Sequence, residues 1–235
     1  MSIRQTDAEP LHQRDFIALV TTVTPMTAPA NERENEIRAA FDSGRLQDAA
    51  TAVLSVYGDE ILSFIHSRLR DRVDSDEAFA MFAEDLWNGL PSFGWRSSVR
   101  TWAYTLARNA TIRYASTSDR RVARNLPLSC PGAVAALVAR VRETTECYKR
   151  TAVKDHFGVL REQLDLEDQT LLILRIDRNL SWRELAQTLS GRVDLDEAEI
   201  ERESARLRKA FERVKREIKR LSEGKGLSKV DKGDK

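Results

Sequence analysis

The stretch of this chain richest in residues able to do chemistry lies between positions 93 and 113. Arg96, Arg100, Arg108 and Arg113 are cations suited to phosphate oxygens. Phe93, Trp102 and Tyr104 offer rings on which exposed bases can stack. Ser97 and Ser98 add hydroxyls, and Asn109 offers a donor and an acceptor to a base edge. Charge is concentrated here. From 96 to 124 seven arginines stand against Asp119 alone, net +6. A second basic segment, 201–222, holds nine cations and four acids, net +5. Between 59 and 85 the sign reverses, with eight acids to three cations, net −5. The whole chain of 235 residues is near neutral, 38 cations to 37 acids, so only this local distribution is informative. Two basic segments with a linker between them suggest two contacts on one polyanion. The plainer alternative is a pair of solvated helix faces, the usual fate of charge runs. In 201–222, Glu201, Glu203, Glu212 and Glu217 can pair with neighbours along a helix, whereas little in 96–124 neutralises the arginines. Packing is also the commoner fate of a tryptophan on an apolar face such as Trp102, and the same reading leaves Tyr104 half-buried.

The elements that position these residues are helical. Ten Gly and six Pro are too few for a β protein rich in tight turns. Apolar residues at helical spacing run through 32–72, with a break at Asp42, Ser43 and Gly44, and again through 76–90. Ser97 or Ser98 caps the next helix, which extends to about Tyr114. At 100° per residue, Val99, Trp102, Ala103, Leu106 and Ala110 share one face, while Arg100, Tyr104, Arg108 and Thr111 share the opposite one. Residues 116–131 read as a basic loop, and 132–164 as a long helix. A compact helical set follows. Ser181 and Glu184 form a capping-box signature, and a basic helix runs from about Asp196 to Leu221. Residues 11–20 suit a short helix, 21–29 a linker and 222–235 a disordered tail. His12, His66 and His156 are far apart, and Cys130 with Cys147 makes a poor zinc site, so neither a metal nor another cofactor is expected. No catalytic constellation, signal sequence or membrane span is apparent, and the expectation is a reduced, cytoplasmic protein that is not an enzyme.

The run Thr101, Trp102, Tyr104, Leu106, Ala107, Arg108, Asn109, with Leu86-Trp87 and Phe93 before it, resembles conserved region 2 of extracytoplasmic-function (ECF) sigma factors. Val99 stands where that family commonly has Phe, and Ala103 where it has Leu. Leu180-Ser181-Trp182-Arg183-Glu184-Leu185-Ala186 and Ala205-Arg206-Leu207-Arg208-Lys209-Ala210 resemble the helix-turn-helix of region 4. The resemblance covers about 44–221. Two departures stand out. Ala80 and Met81 occupy the positions of the family's Gln-acid pair, near which Glu77, Glu84 and Asp85 are substitutes for polymerase binding. The helix-turn-helix turn is also enlarged by about five residues within 191–201.

The resemblance implies an all-α protein of two small helical domains joined by a linker. The expected divisions are an N-terminal extension (1–43), a region 2-like bundle (44–115), a partly helical linker (116–156), a region 4-like helix-turn-helix (157–221) and the tail (222–235). It implies a factor that directs RNA polymerase core to promoters, touching the clamp and the flap, with an anti-sigma factor as a further candidate partner and no membrane. Phe93, Arg96, Ser97, Ser98, Arg100, Trp102, Arg108, Asn109 and Arg113 would then contact the minus-ten element. Glu203, Ser204, Arg206, Arg208, Lys209 and Arg213 would contact the minus-thirty-five element. The acids of the enlarged turn, Asp194, Asp196, Glu197 and Glu199, are expected to project away from the DNA groove. The alternative is a stand-alone helix-turn-helix regulator or a degenerate sigma-like interaction protein, which the loss of the Gln-acid pair would favour.

Overall fold

A helix that is apolar on every side has to be enclosed by others. Helix α2 (Leu46–Leu69) comes close to this, burying Ala49, Val53, Leu54, Ile61, Leu62 and Phe64 over more than half of its circumference and leaving Ser55 and Asp59 exposed. Four helices enclose it: α1 (Pro29–Asp42), α3 (Arg72–Gly89), α4 (Val99–Ser116) and α5 (Gly132–Thr144). Gly58 lets α5 come close, since a Cβ there would meet Val141 Cγ2 at 3.1 Å. The computed structural model describes residues 29–116, 132–144, 161, 163–192 and 194–224, and no strand occurs among them. The helix expected at 11–20, most of the expected loop at 116–131, most of the second half of the 132–164 helix and the tail beyond 224 lie outside the described residues.

Two of these helices fall outside the expected bundle of 44–115. Helix α1 buries Ile37 in the common core, and its Glu34 carboxylate accepts from the Tyr57 hydroxyl at 3.1 Å and the Arg100 N–H at 3.3 Å. Helix α5, within the expected linker, buries Val134 and Val138 against α2 and α3. Helix α3 starts a turn earlier than its apolar pattern suggests. Arg70 turns left-handed (φ 60) to end α2, a conformation costing a residue with a Cβ about 1–2 kcal/mol, and Asp71 restarts the chain by accepting from the Asp74 N–H at 2.8 Å.

A second set of helices follows. Asp165 caps α6 (Leu166–Leu172), accepting from the Asp168 N–H at 2.8 Å. The chain then widens, the Arg178 N–H reaching back five residues to the Ile173 carbonyl. Helix α7 (Trp182–Ser190) opens on the expected capping box: Glu184 accepts from the Ser181 N–H at 2.7 Å, and the Ser181 hydroxyl from the Glu184 N–H at 3.2 Å. It ends at Gly191, whose φ of 70° suits a residue without a Cβ. Helix α8 (Glu197–Gly224) has a reciprocal cap of its own between Asp196 and Glu199, at 2.7 and 2.9 Å. Leu185, Ile200, Leu207 and Phe211 form the shared core, with the Trp182 ring edge-on to Phe211. The 191–196 connection exceeds the 3–4 residues usual between such helices. The rest of the expected insertion is an added first turn of α8.

The two sets are packed together, α7 lying along α4. This covers the face of α4 that lies opposite its apolar one. Tyr104 is 0% exposed and Thr111 3%, with Arg100 and Arg108 half-buried beside them. The opposite-face pattern fails because α2 claims one side of α4 and α7 another.

Candidate nucleic-acid interface

Ser98 is the residue that caps α4, its Oγ accepting from the Thr101 N–H at 3.0 Å. The loop before it turns through Trp95, left-handed at φ 55. This aims an aromatic series inward: Phe41 edge-on to Trp95, Trp95 tilted on Phe93, and Phe93 stacked on Trp102 at 4.5 Å. Phe93 and Trp102 are buried, and Arg38 lies over the Trp95 ring at 4.9 Å. Gly89 makes room for Trp102, since a Cβ there would meet its Cζ2 at 3.1 Å. A cavity of about 300 Å³ remains beside this stack, lined by Phe93, Gly94, Arg96, Ser97 and Trp102, with Asp194 from the α7–α8 turn on its wall. It is of the size of a small-ligand cleft. Trp102 is 4% exposed, the packed position, with part of its ring on the cavity wall.

The expected phosphate contacts occupy three settings. Arg96 stands at this cavity. Arg100 is held by Glu60, donates to the Arg178 carbonyl at 2.8 Å and lies over the Tyr104 ring. Tyr104 is not half-buried as expected, for its hydroxyl donates to the same Glu60 at 2.6 Å in the interior. Burial pushes the Tyr104 phenol well up, with the Glu60 charge adding to it. Burial also lowers the Arg108 guanidinium. Arg113, expected at the minus-ten element, pairs with Asp85, expected at the polymerase, at 2.7 Å. Asn109 sits beside the end of α7, where a Cβ on Gly191 would lie 3.4 Å from its Oδ1.

Sequence reasoning missed Arg68. Its guanidinium donates to the Leu166 carbonyl and the Thr170 hydroxyl of α6. Burial, with the like charge of Arg108 beside it, pushes it down to about 10. Arg68 and Arg108 come together from α2 and α4, a juxtaposition no local spacing reveals.

The acidic candidates Glu77 and Glu84 are half-buried, seven residues apart on one side of α3 with Ala80 and Met81 between them. On α8 the candidates separate by burial. Ser204 lies in the helix-turn-helix core, its hydroxyl donating to the Trp182 carbonyl at 3.0 Å, so it is not on the outer face where it was expected. Arg208 lies over the Trp182 ring at 5.7 Å. Arg206, Lys209 and Arg213 are exposed on one side, Arg206 paired with Glu203 and Arg213 with Asp168 at 2.8 Å. Arg202 and Arg216 extend that side at spacings of four and three, a pattern legible in the sequence but not drawn from it. Of the turn acids, Asp194 points to the α4 cavity, Asp196 caps α8, and Glu197 pairs with Arg183. Glu199 is in phase with the basic side but folds back onto the Asp196 N–H and Arg192.

Comparison with known proteins gives the site its context. Residues 54–121, from within α2 through α4, match the sigma-70 region 2 family. Over 174 residues the chain is 27% identical to RNA polymerase sigma factor YlaC of Bacillus subtilis (strain 168), covering 73% of this chain and 96% of that protein. No solved structure matches. The match to region 2 falls on the helix that carries Trp102, Arg108 and Asn109, and the relative extends the likeness across most of the chain. The chain therefore carries a segment similar to sigma-70 region 2 and is similar over most of its length to an RNA polymerase sigma factor.

Proposed function

We propose that the chain reads its promoters at two places, capturing the non-template strand of the minus-ten element at α4 and the minus-thirty-five element with α8. The observation that carries the first half is the cavity beside the Phe93–Trp102 stack, with Arg96 and Ser97 on its walls, inside the segment that matches region 2. Pulling a base out of a duplex costs a few kcal/mol. Stacking against an aromatic wall returns about 1–3 kcal/mol per base, and hydrogen bonds to the base edge add to it. Asn109, with Arg113 beside it, supplies the edge contacts, and Arg96, Arg100 and Arg108 hold the strand by its phosphates. Phe93, Ser97, Ser98 and Trp102 shape the pocket.

For the second half, α8 lays Arg206, Lys209 and Arg213 in the major groove, with Arg202 and Arg216 on flanking phosphates. Glu77, Glu84 and Asp85 on α3 meet the polymerase clamp, and the helix-turn-helix meets the flap. The factor works in the cytoplasm as a binding subunit rather than an enzyme, open to control by an anti-sigma factor. No helix among the described residues is long and apolar enough to cross a membrane. Transcription in vitro with core polymerase and a genomic promoter library tests this reading. Defined start sites that need both core and this chain are expected. A folded chain that binds core yet starts no specific transcript would overturn it.

A further inference from the structure

The loop that leads into α4 is held in a conformation that one of its own residues disfavours. Trp95 is left-handed at φ 55, a region where a residue with a bulky ring is an outlier. Its indole N–H is buried and meets no acceptor among the described residues. Strain of this kind persists only where the surroundings fix it, and it gathers at binding sites. Here the surroundings are α1. Ile37 anchors that helix in the core, and Glu34 accepts from the Arg100 N–H at 3.3 Å, which sets α1 in register with the first turn of α4. Arg38 and Phe41 follow Glu34 at spacings of four and three, so the three share a face. Arg38 lies over the Trp95 ring at 4.9 Å, and Phe41 meets it edge-on at 5.4 Å. Asp42 braces Arg38 at 3.7 Å. From Trp95 the contacts run on to the cavity. Phe93 meets its ring at 5.0 Å and stacks in turn on Trp102, while Gly94 and Arg96, its neighbours in the chain, both line the cavity wall.

We propose that Trp95 is the positioning residue of the minus-ten pocket, and that α1 holds it in place through Arg38 and Phe41. The proposal rests on the minus-ten reading above and adds the element that sets the shape of the pocket. Helix α1 precedes the segment that matches region 2, so this wall is fixed from outside that segment. Trp95 acts through the residues on either side of it. Loosening it therefore changes which base is preferred more than how tightly the strand is held.

The test uses the full chain and two readouts. Limited trypsin cleavage after Arg96, an exposed residue of the loop, follows the loop without DNA, with the fragment identified by mass. Anisotropy with core polymerase bound compares labelled single-stranded 12-mers that differ at one minus-ten position. The double variant Arg38→Ala, Phe41→Leu is expected to be cut after Arg96 at least fivefold faster than the parent. Its discrimination between the best and worst base should fall at least fivefold, with its affinity for the worst base changed by less than twofold. Arg38→Ala alone, at an exposed site, should move both readouts by about threefold, the scale of a cation over an exposed ring. Arg38→Lys, which keeps the cation, should restore the parent values. Trp95→Gly keeps the left-handed turn without strain and removes the ring, so it should match the double variant. Arg33→Ala, which removes the same charge from an exposed site on α1, is expected to change neither readout. Parent-like cleavage and discrimination in the double variant and in Trp95→Gly, or a loss of affinity equal for every base, would overturn the proposal. A parent with no base preference at any minus-ten position, whose loop is still loosened by these variants, would overturn the minus-ten reading and leave α1 as the holder of the loop.

Discussion

Helices α4 and α8 carry similar excesses of positive charge, yet the fold treats them in opposite ways. On α8 the cations stand on one side of an amphipathic helix, exposed or paired along the surface, while Leu207, Phe211, Val214 and Ile218 supply the buried side. On α4 Thr101, Trp102, Tyr104, Thr105, Ala107, Thr111 and Tyr114 are buried, and arginines are folded into the packing. Charge count alone does not say which positive segment is solvated. The deciding feature is whether the residues between the cations can satisfy an interior. Threonines can, by bonding back to the helix: Thr105 to the Thr101 carbonyl and Thr111 to the Ala107 carbonyl. Tyr104 and Tyr114 can when a carboxylate awaits each hydroxyl, Glu60 for one and Asp74 for the other.

The largest expected effect breaks this contrast at its acids. Glu60 serves Arg100 and Tyr104 together, with three-quarters of its side chain covered. Glu60→Ala leaves a phenol and a guanidinium short of their acceptor in a largely dry setting, a loss of about 2–3 kcal/mol. Glu203 serves Arg206, an exposed cation one turn along α8. Glu203→Ala should change stability by no more than about 0.5 kcal/mol. Urea denaturation of both variants checks the pair. Equal losses would mean that the two basic helices are stabilised alike.

The next effect sharpens the contrast within α4, between a residue that reads bases and one that holds phosphate. On the polymerase-bound factor, Asn109→Ala should remove a preference worth about 1–3 kcal/mol at one minus-ten position. Arg108→Ala should weaken all sequences alike and lower the salt slope by about one unit. Anisotropy over a set of single-base variants at several salt concentrations separates the two. Identical, sequence-independent losses would show that Asn109 reads no base.

Local chemistry made much of this molecule legible from its residues, and tertiary chemistry withheld the rest. The Ser98 cap, the Ser181–Glu184 box and the early start of α8 depend on groups three residues apart, so spacing reveals them. The first turn of α3 was hidden because Asp71 caps it ahead of any apolar periodicity. Helical phase puts Tyr104 and Thr111 opposite the apolar face of α4, and it cannot register that helices from before and after it in the chain close over both sides. Ser204 was read as a DNA contact from its place in a motif, and its burial follows from the Trp182 carbonyl 22 residues earlier. Arg68 carried no signal at all, since its neighbours come from α4 and α6.

The smallest expected effect concerns the α7–α8 turn seen from its two sides. Asp194 and Asp196 lie close to the start of α8, so a naive electrostatic argument has them repelling minus-thirty-five phosphates. Their placement argues otherwise. Asp196 is spent on the Glu199 N–H, and Asp194 faces the α4 cavity rather than the Arg206, Lys209 and Arg213 side. Asn at 196 remains a good cap, so Asp196→Asn preserves the helix start. Neutralising both should therefore alter binding to a duplex minus-thirty-five probe by less than about threefold, roughly 0.6 kcal/mol on a scale of tenfold per 1.4 kcal/mol. Lys209→Glu, on the exposed side, should abolish it. The comparison is sharpest when the same Asp194→Asn change is followed at both elements. Single-strand capture should respond and duplex binding should not, because one carboxylate at one end of α7 is directed at α4 and away from the groove-facing side of α8. A large gain on the duplex probe would place the turn against the minus-thirty-five DNA and reassign the outer face of α8.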